Sequence, residues 1–110
     1  MIDNEKNVLN SYQDWVWTTT SPSAKVGDHS MWWASSGLAA ESGEVLALFE
    51  KAYRKGETVN RARLVDELGD CFWFLVSICN MADIDINDVL TMNVQKINAR
   101  LADGKLTSEG

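Results

Sequence analysis

Two acidic pairs stand at helical spacing within the stretch 37–80: Glu41 with Glu44, and Glu67 with Asp70. Residues three apart on a helix share a face, so each pair points one way. Leu38, Val45, Leu48 and Ala52 surround the first pair, and Leu64, Leu68, Cys71 and Phe74 surround the second, so both pairs track an apolar stripe. Carboxylates are seldom placed there without a compensating charge. Surface ion pairs with nearby lysines and arginines would fit the opposite, solvated face better. A hard divalent cation suits carboxylate oxygens, and Mg²⁺ in particular is held by a few carboxylates, waters and substrate phosphates.

The turn between the pairs tests whether they meet. Gly56 lies between two helical patterns, and the numbers of Glu41 and Asp70 average 55.5, as do those of Glu44 and Glu67. A hairpin folded at Gly56 therefore brings the four to one level. Four like charges so close raise one another's pKa values unless neutralised. A di-iron centre of the bundle type needs Glu-x-x-His on two helices, and the only histidine is His29. Asp83, Asp85 and Asn87 begin like an EF-hand loop, but Asp88 stands where its glycine belongs and Val94 where its last glutamate belongs.

The elements that position these residues read as helices. A first helix is expected from Asn4 to Thr18, with Val8, Leu9, Tyr12, Trp15 and Val16 at core spacing. TTTSPS should stop it, and Ala24 to His29 reads as loop. The second helix is expected from an N-cap at Asp28 or Ser30 to Lys55, with Gly56 as the left-handed residue beyond it. Thr58 or Asn60 should cap the third, which runs to Met81 with Leu64, Leu68, Cys71, Phe72, Leu75, Ile78 and Cys79 as its apolar stripe. Asp85 should cap the fourth, with Ile84 and Val89 as a hydrophobic staple. Leu90, Val94, Ile97 and Leu101 are its expected core face, Gly104 its end, and Lys105–Gly110 a frayed tail. Gly37 and Gly43 fall inside the second helix, where each costs on the order of 1 kcal/mol against alanine. Close packing or a close ligand would account for them.

Composition agrees. The 110 residues, 45% hydrophobic and 24% charged with one proline, fit one all-α domain over residues 1–110 built on a central antiparallel hairpin. A net charge of −6 leaves no basic surface for a nucleic-acid polymer, although metal ions could bridge an acidic protein to a phosphorylated small molecule. No membrane span or signal peptide is visible, so a cytoplasmic protein is expected. Cys71 and Cys79 lie roughly 12 Å apart along one helix, too far for a disulfide.

The residues GLAAESGEVLALFEKAYRKG followed by VDELGDCFWFLVSIC resemble the MazG-type all-α nucleoside triphosphate pyrophosphohydrolases. Their Glu-x-x-Glu and Glu-x-x-Asp motifs match Glu41/Glu44 and Glu67/Asp70. Asn93, Lys96 and Arg100 match the family's N-x-x-K-x-x-x-R segment, and YQDWVWTTT is similar to its first helix. The resemblance implies Mg²⁺-dependent cleavage between the α and β phosphates, releasing monophosphate and pyrophosphate, with Mn²⁺ able to stand in for Mg²⁺. It implies a homodimer or homotetramer whose chains complete one bundle, and a role in nucleotide-pool housecleaning. Glu41, Glu44, Glu67 and Asp70 would be the metal-binding and catalytic set. Some members carry an extra glutamate just before the first motif glutamate, where this chain has Ala40.

Asn93, Lys96 and Arg100 share one side of the fourth helix and are candidates for phosphate and sugar, a solvated basic edge being the alternative. Lys51 and Lys55 are further phosphate candidates, though with Arg54 they also complement the helix dipole. Trp32, Trp33, Trp73 and His29 could meet a base, Trp33 first because it lies two turns before Glu41. Specificity for dUTP or dCTP, or for phosphoribosyl-ATP, fits the same superfamily. A catalytically silent helical module binding nucleotide or protein is the alternative from another class, against which the four retained acids speak.

Overall fold

A computed structural model describes residues 7–25, 27 and 29–104. Among them are four α-helices and no strand: α1 (Val8–Thr19), α2 (Ser30–Lys55), α3 (Arg61–Met81) and α4 (Ile86–Ala102). The Asn7 side chain caps α1 by accepting from the Asn10 N–H, while the expected start at Asn4 lies outside the described residues, as do the Asp28 cap and the tail Lys105–Gly110. Helix α1 ends within the threonine run, at Thr19, one residue beyond its expected end. The Thr18 and Thr19 hydroxyls donate to the Trp15 carbonyl, and that of Thr20 to the Val16 carbonyl at 2.7 Å, in the last turn of the helix. Pro22–Ala24 then makes a single 3₁₀ turn within the expected loop.

His29 occupies the cap position of α2 without a side-chain cap bond, and the Ser30 hydroxyl instead donates to the Gly27 carbonyl. Gly56 closes α2 at φ 65°, its N–H turned back to the Ala52 and Tyr53 carbonyls, which is the left-handed geometry that glycine adopts freely. Asn60, not Thr58, caps α3, and Asp85 caps α4 by accepting from the Asn87 N–H. Bonds from the Asn87 backbone, then from the Asn10 and Asn87 side chains, hold the Asp85 carboxyl below its ordinary pKa. Ile84 and Val89 are 43% and 38% exposed, so the expected staple is not buried.

Helix α3 is the common support: α2 packs along it, α1 packs against it as well, and α1 also meets α4. Val16, Val76, Cys79 and Ile86 form the buried core, lined by Leu9, Tyr12, Trp15, Phe72, Trp73 and Leu75. A fully buried aliphatic side chain is worth about 1.5–3 kcal/mol, so Val16, Val76 and Ile86 anchor three helices to one another. The expected core face of α4 is a correction. Leu90, Val94 and Leu101 are 43%, 58% and 56% exposed, because only the first turn of α4 enters this core. On α3, Leu68 is also half exposed. The radius of gyration is 16.7 Å, against about 13 Å for a compact chain of this length. The four helices do not close on themselves.

The two glycines inside α2 separate. A Cβ at Gly37 would overlap the Phe74 ring, whereas a Cβ at Gly43 would meet nothing within 4 Å. Gly37 is therefore a packing glycine that lets the Phe74 ring lie against the α2 backbone. Gly37→Ala should destabilise by about 1–3 kcal/mol through overpacking, while Gly43→Ala at low protein concentration should stabilise by up to about 1 kcal/mol. Urea titrations of the two variants beside the parent check both signs.

Candidate metal centre

Glu41 comes from α2, and Glu67 and Asp70 from α3. One carboxylate oxygen from each lies within 4.8 Å of the other two. The hairpin packing that brings them together includes the Phe74 ring of α3 lying against the α2 backbone at Gly37. Among the described residues no lysine or arginine is ion-paired with any of the three. The recorded pair on α2 joins Arg54 to Glu50, near the hairpin turn. Clustered acids without cationic neighbours are what surface ion pairing does not provide.

Electrostatics registers the crowding. The Glu41 carboxyl is pushed above its ordinary value, first by desolvation, then by a hydrogen bond shared with Glu67 and by the charges of Asp70, Glu67 and Glu44. Three carboxylates with no histidine or thiolate among them form a hard oxygen donor set, which fits Mg²⁺ or Mn²⁺ and not a soft metal. Glu44 is not within the cluster. Its side chain stands exposed beside the cluster, and its charge is among those that raise the Glu41 pKa.

The remaining candidates lie further off. Lys51 and Lys55 follow Glu41 by ten and fourteen residues, roughly 15 and 21 Å along the axis, and are not brought to the carboxylates. Asn93 and Lys96 share an open groove of about 630 Å³ with Val89 and Met92, and Arg100 is exposed one turn beyond Lys96. Trp33 is 39% exposed and stacks edgewise on Trp73 and Phe74 at ring separations of 6.2 and 5.5 Å. With His29 it lines a cleft of about 280 Å³. A second cleft of about 380 Å³ runs between α1 and α3, lined by Tyr12, Trp15 and Trp73 and reaching Asp66 and Asp70. Burial, and then the Asp70 charge, raise the Tyr12 pKa. Sequence reasoning placed Tyr12 in the core and missed this cleft, since nothing in spacing says that α1 flanks the acid-bearing side of α3.

The raised Glu41 pKa has a sign that can be checked. An acid whose folded pKa lies above its unfolded value destabilises the fold when ionised. That penalty is present above the folded pKa and disappears as pH falls below the ordinary 4.5. Glu41→Gln should therefore raise the metal-free melting temperature at pH 7, with the gain vanishing near pH 4. In the parent, Mg²⁺ affinity by calorimetry should fall on acidification, starting above the usual carboxylate range, because the ion competes with a proton.

Comparison with known proteins agrees with this geometry. The model of the MazG nucleotide pyrophosphohydrolase domain matches residues 34–103, which contain all three clustered carboxylates and the basic residues of α4. The Gene 37 protein of Mycobacterium phage L5 is 29% identical over 82 residues, spanning 71% of this chain and 72% of the phage protein. No solved structure matches the chain. The match covers well over half of the chain and takes in α3 and all but the first turn of α2, so the chain belongs to the MazG nucleotide pyrophosphohydrolase domain family.

Proposed function

We propose that this protein is a Mg²⁺-dependent nucleoside triphosphate pyrophosphohydrolase, adding water across the α–β anhydride of a (d)NTP to give (d)NMP and pyrophosphate in nucleotide-pool housecleaning. The observation that carries the reading is the trio of carboxylates from two facing helices, within 4.8 Å and without a cationic side chain. Glu41, Glu67 and Asp70 would hold the ion. A Mg²⁺ ion held there would supply charge to neutralise phosphate oxygens and to lower the pKa of an attacking water. Glu44, exposed beside the trio, is left free to accept that water's proton, a task Ala40 has no group to perform. Asn93, Lys96 and Arg100 would hold phosphate and sugar, with Trp33 against the base. Lys51 and Lys55 lie too far along α2 to share in this within one chain.

Self-association completes the reading. The accessible surface is 7989 Å², against about 6,100 Å² for a compact monomer of 12.3 kDa. The excess, roughly 1,900 Å² per chain, is of the size obligate homodimers cover. Apolar side chains line it, Leu46 at 70%, Met92 at 65% and Val94 at 58% exposure among them. An apolar groove of about 450 Å³ between α2 and α3, lined by Leu38, Val45, Leu68, Cys71, Phe72 and Leu75, is a matching acceptor for a second copy.

A panel of NTPs and dNTPs with Mg²⁺, scored for pyrophosphate against orthophosphate, should give pyrophosphate from at least one member. Asp70→Asn should cut that release by at least about a hundredfold without lowering the metal-free melting temperature; full activity would remove the site assignment. In sedimentation at micromolar concentration the protein should weigh about two or four times the 12.3 kDa chain. Val94→Glu should shift it towards the monomer, and a well-folded monomeric parent would exclude the shared bundle.

A further inference from the structure

Helix α4 is a cantilever. Its first residue, Ile86, is 1% exposed and sits in the core, yet from Asp88 onward the helix is exposed except for a half-buried Ile97. Lys96 and Arg100 stand ten and fourteen residues from that anchor, roughly 15 and 21 Å out along the axis. Their position therefore depends on the direction in which α4 leaves the α3–α4 turn. A tilt of about 10° at the anchor moves Lys96 by about 2.6 Å, beyond the roughly 1 Å within which positioning of a reacting group matters.

One buried polar side chain fixes that direction. Gln13 of α1 is 8% exposed. Its Nε2 donates to the Ile84 carbonyl at 2.7 Å, and its Oε1 accepts from the Ile86 N–H at 2.9 Å. Both sides of the turn are thus held by one amide. The Asn80 amide at the end of α3 donates to the Gln13 carbonyl at 3.1 Å. Outside this buried set, Asn10 donates to Asp85 at 3.0 Å and accepts from Asn87 at 2.8 Å, bracing the first turn of α4 from the solvent side.

We propose that Gln13 is a positioning residue: by clamping Ile84 and Ile86 it sets the direction of α4, and so where Lys96 and Arg100 present their charges to a phosphate chain. This rests on the reading of α4 as the phosphate-binding helix. The bonds run within one chain, so the clamp acts whether those charges serve the chain's own carboxylates or a second copy's.

The test uses the full-length protein and two probes without a base: Mn²⁺ alone, and tripolyphosphate with Mg²⁺. Gln13→Met keeps volume and loses both amide bonds; Asn10→Ala loosens the same clamp from its exposed side if Gln13→Met folds poorly. Each should weaken tripolyphosphate binding, Gln13→Met by about tenfold or more, while Mn²⁺ affinity stays at the parent value because the α2–α3 hairpin is untouched. In a Lys96→Ala, Arg100→Ala background the clamp variants should weaken tripolyphosphate binding no further, since there is no longer a charge to misplace. Unchanged tripolyphosphate affinity in both clamp variants overturns the proposal, as does an effect that persists undiminished in that background. If Lys96→Ala and Arg100→Ala are themselves silent, the phosphate reading of α4 fails and the proposal with it, an outcome distinct from a silent Gln13 beside active cations.

Discussion

Mutual repulsion of carboxylates held on two packed helices is the constraint around which this molecule is arranged. Glu41, Glu67 and Asp70 come within 4.8 Å of one another because the apolar contacts of α2 with α3 leave them nowhere else to go. Desolvation, then a hydrogen bond shared with Glu67 and the neighbouring acid charges, raise the Glu41 pKa. Among the described residues no lysine or arginine is ion-paired with the three carboxylates, and on the proposed reading a bound cation would relieve the repulsion. The Phe74–Gly37 contact, which admits a ring where any other residue would place a Cβ, is what such a pairing needs to hold against repulsion. Packing supplies the force, and charge supplies the chemistry.

The rest of the chain divides the remaining work between a well-buried anchor and poorly covered arms. Val16, Val76, Cys79 and Ile86 tie α1, α3 and the start of α4 together, yet they are few for a chain of 110 residues. Beyond them α2 and α4 present leucines, valines and aromatics to solvent. A stable monomer would hide these side chains by folding α4 back over the hairpin. The direct hydrogen bonds from Gln13 and Asn10 to the α3–α4 turn hold α4 in another direction. On the proposed reading, the network that directs α4 away from the hairpin is also what would present it to a second copy.

Much of this was legible in the residues, and the misses share a cause. The hairpin, the caps at Asn60 and Asp85, the left-handed Gly56 and the convergence of Glu41 with Asp70 all follow from spacing, because each depends on residues close in sequence or on one turn. The burial of α4 was read wrongly from a correct periodicity: Leu90, Val94 and Leu101 do form a stripe, but a stripe says that a face is apolar and not which chain covers it. Glu44 was grouped with Glu41 on helical spacing, and it stands exposed beside the three-acid cluster. Gln13 gave no signal, since a glutamine among core residues reads as surface until the turn it clamps, some 70 residues away, is folded beside it.

On the proposed reading, the two halves of the chain are free to vary separately. The cation set belongs to a hairpin whose geometry is fixed by α2–α3 packing alone. Phosphate and base contacts belong to α4 and to the aromatic clefts along α1 and α2. A substitution in the Tyr12–Trp15–Trp73 cleft alters what lies beside Asp70 without moving the backbone that holds it, because Trp73 is fixed independently by its 3.1 Å bond to Thr19 and by edge contacts with Trp33 and Phe74. Substrate preference can therefore change at the aromatic walls while the charge constraint at the centre, and with it the reaction, stays the same.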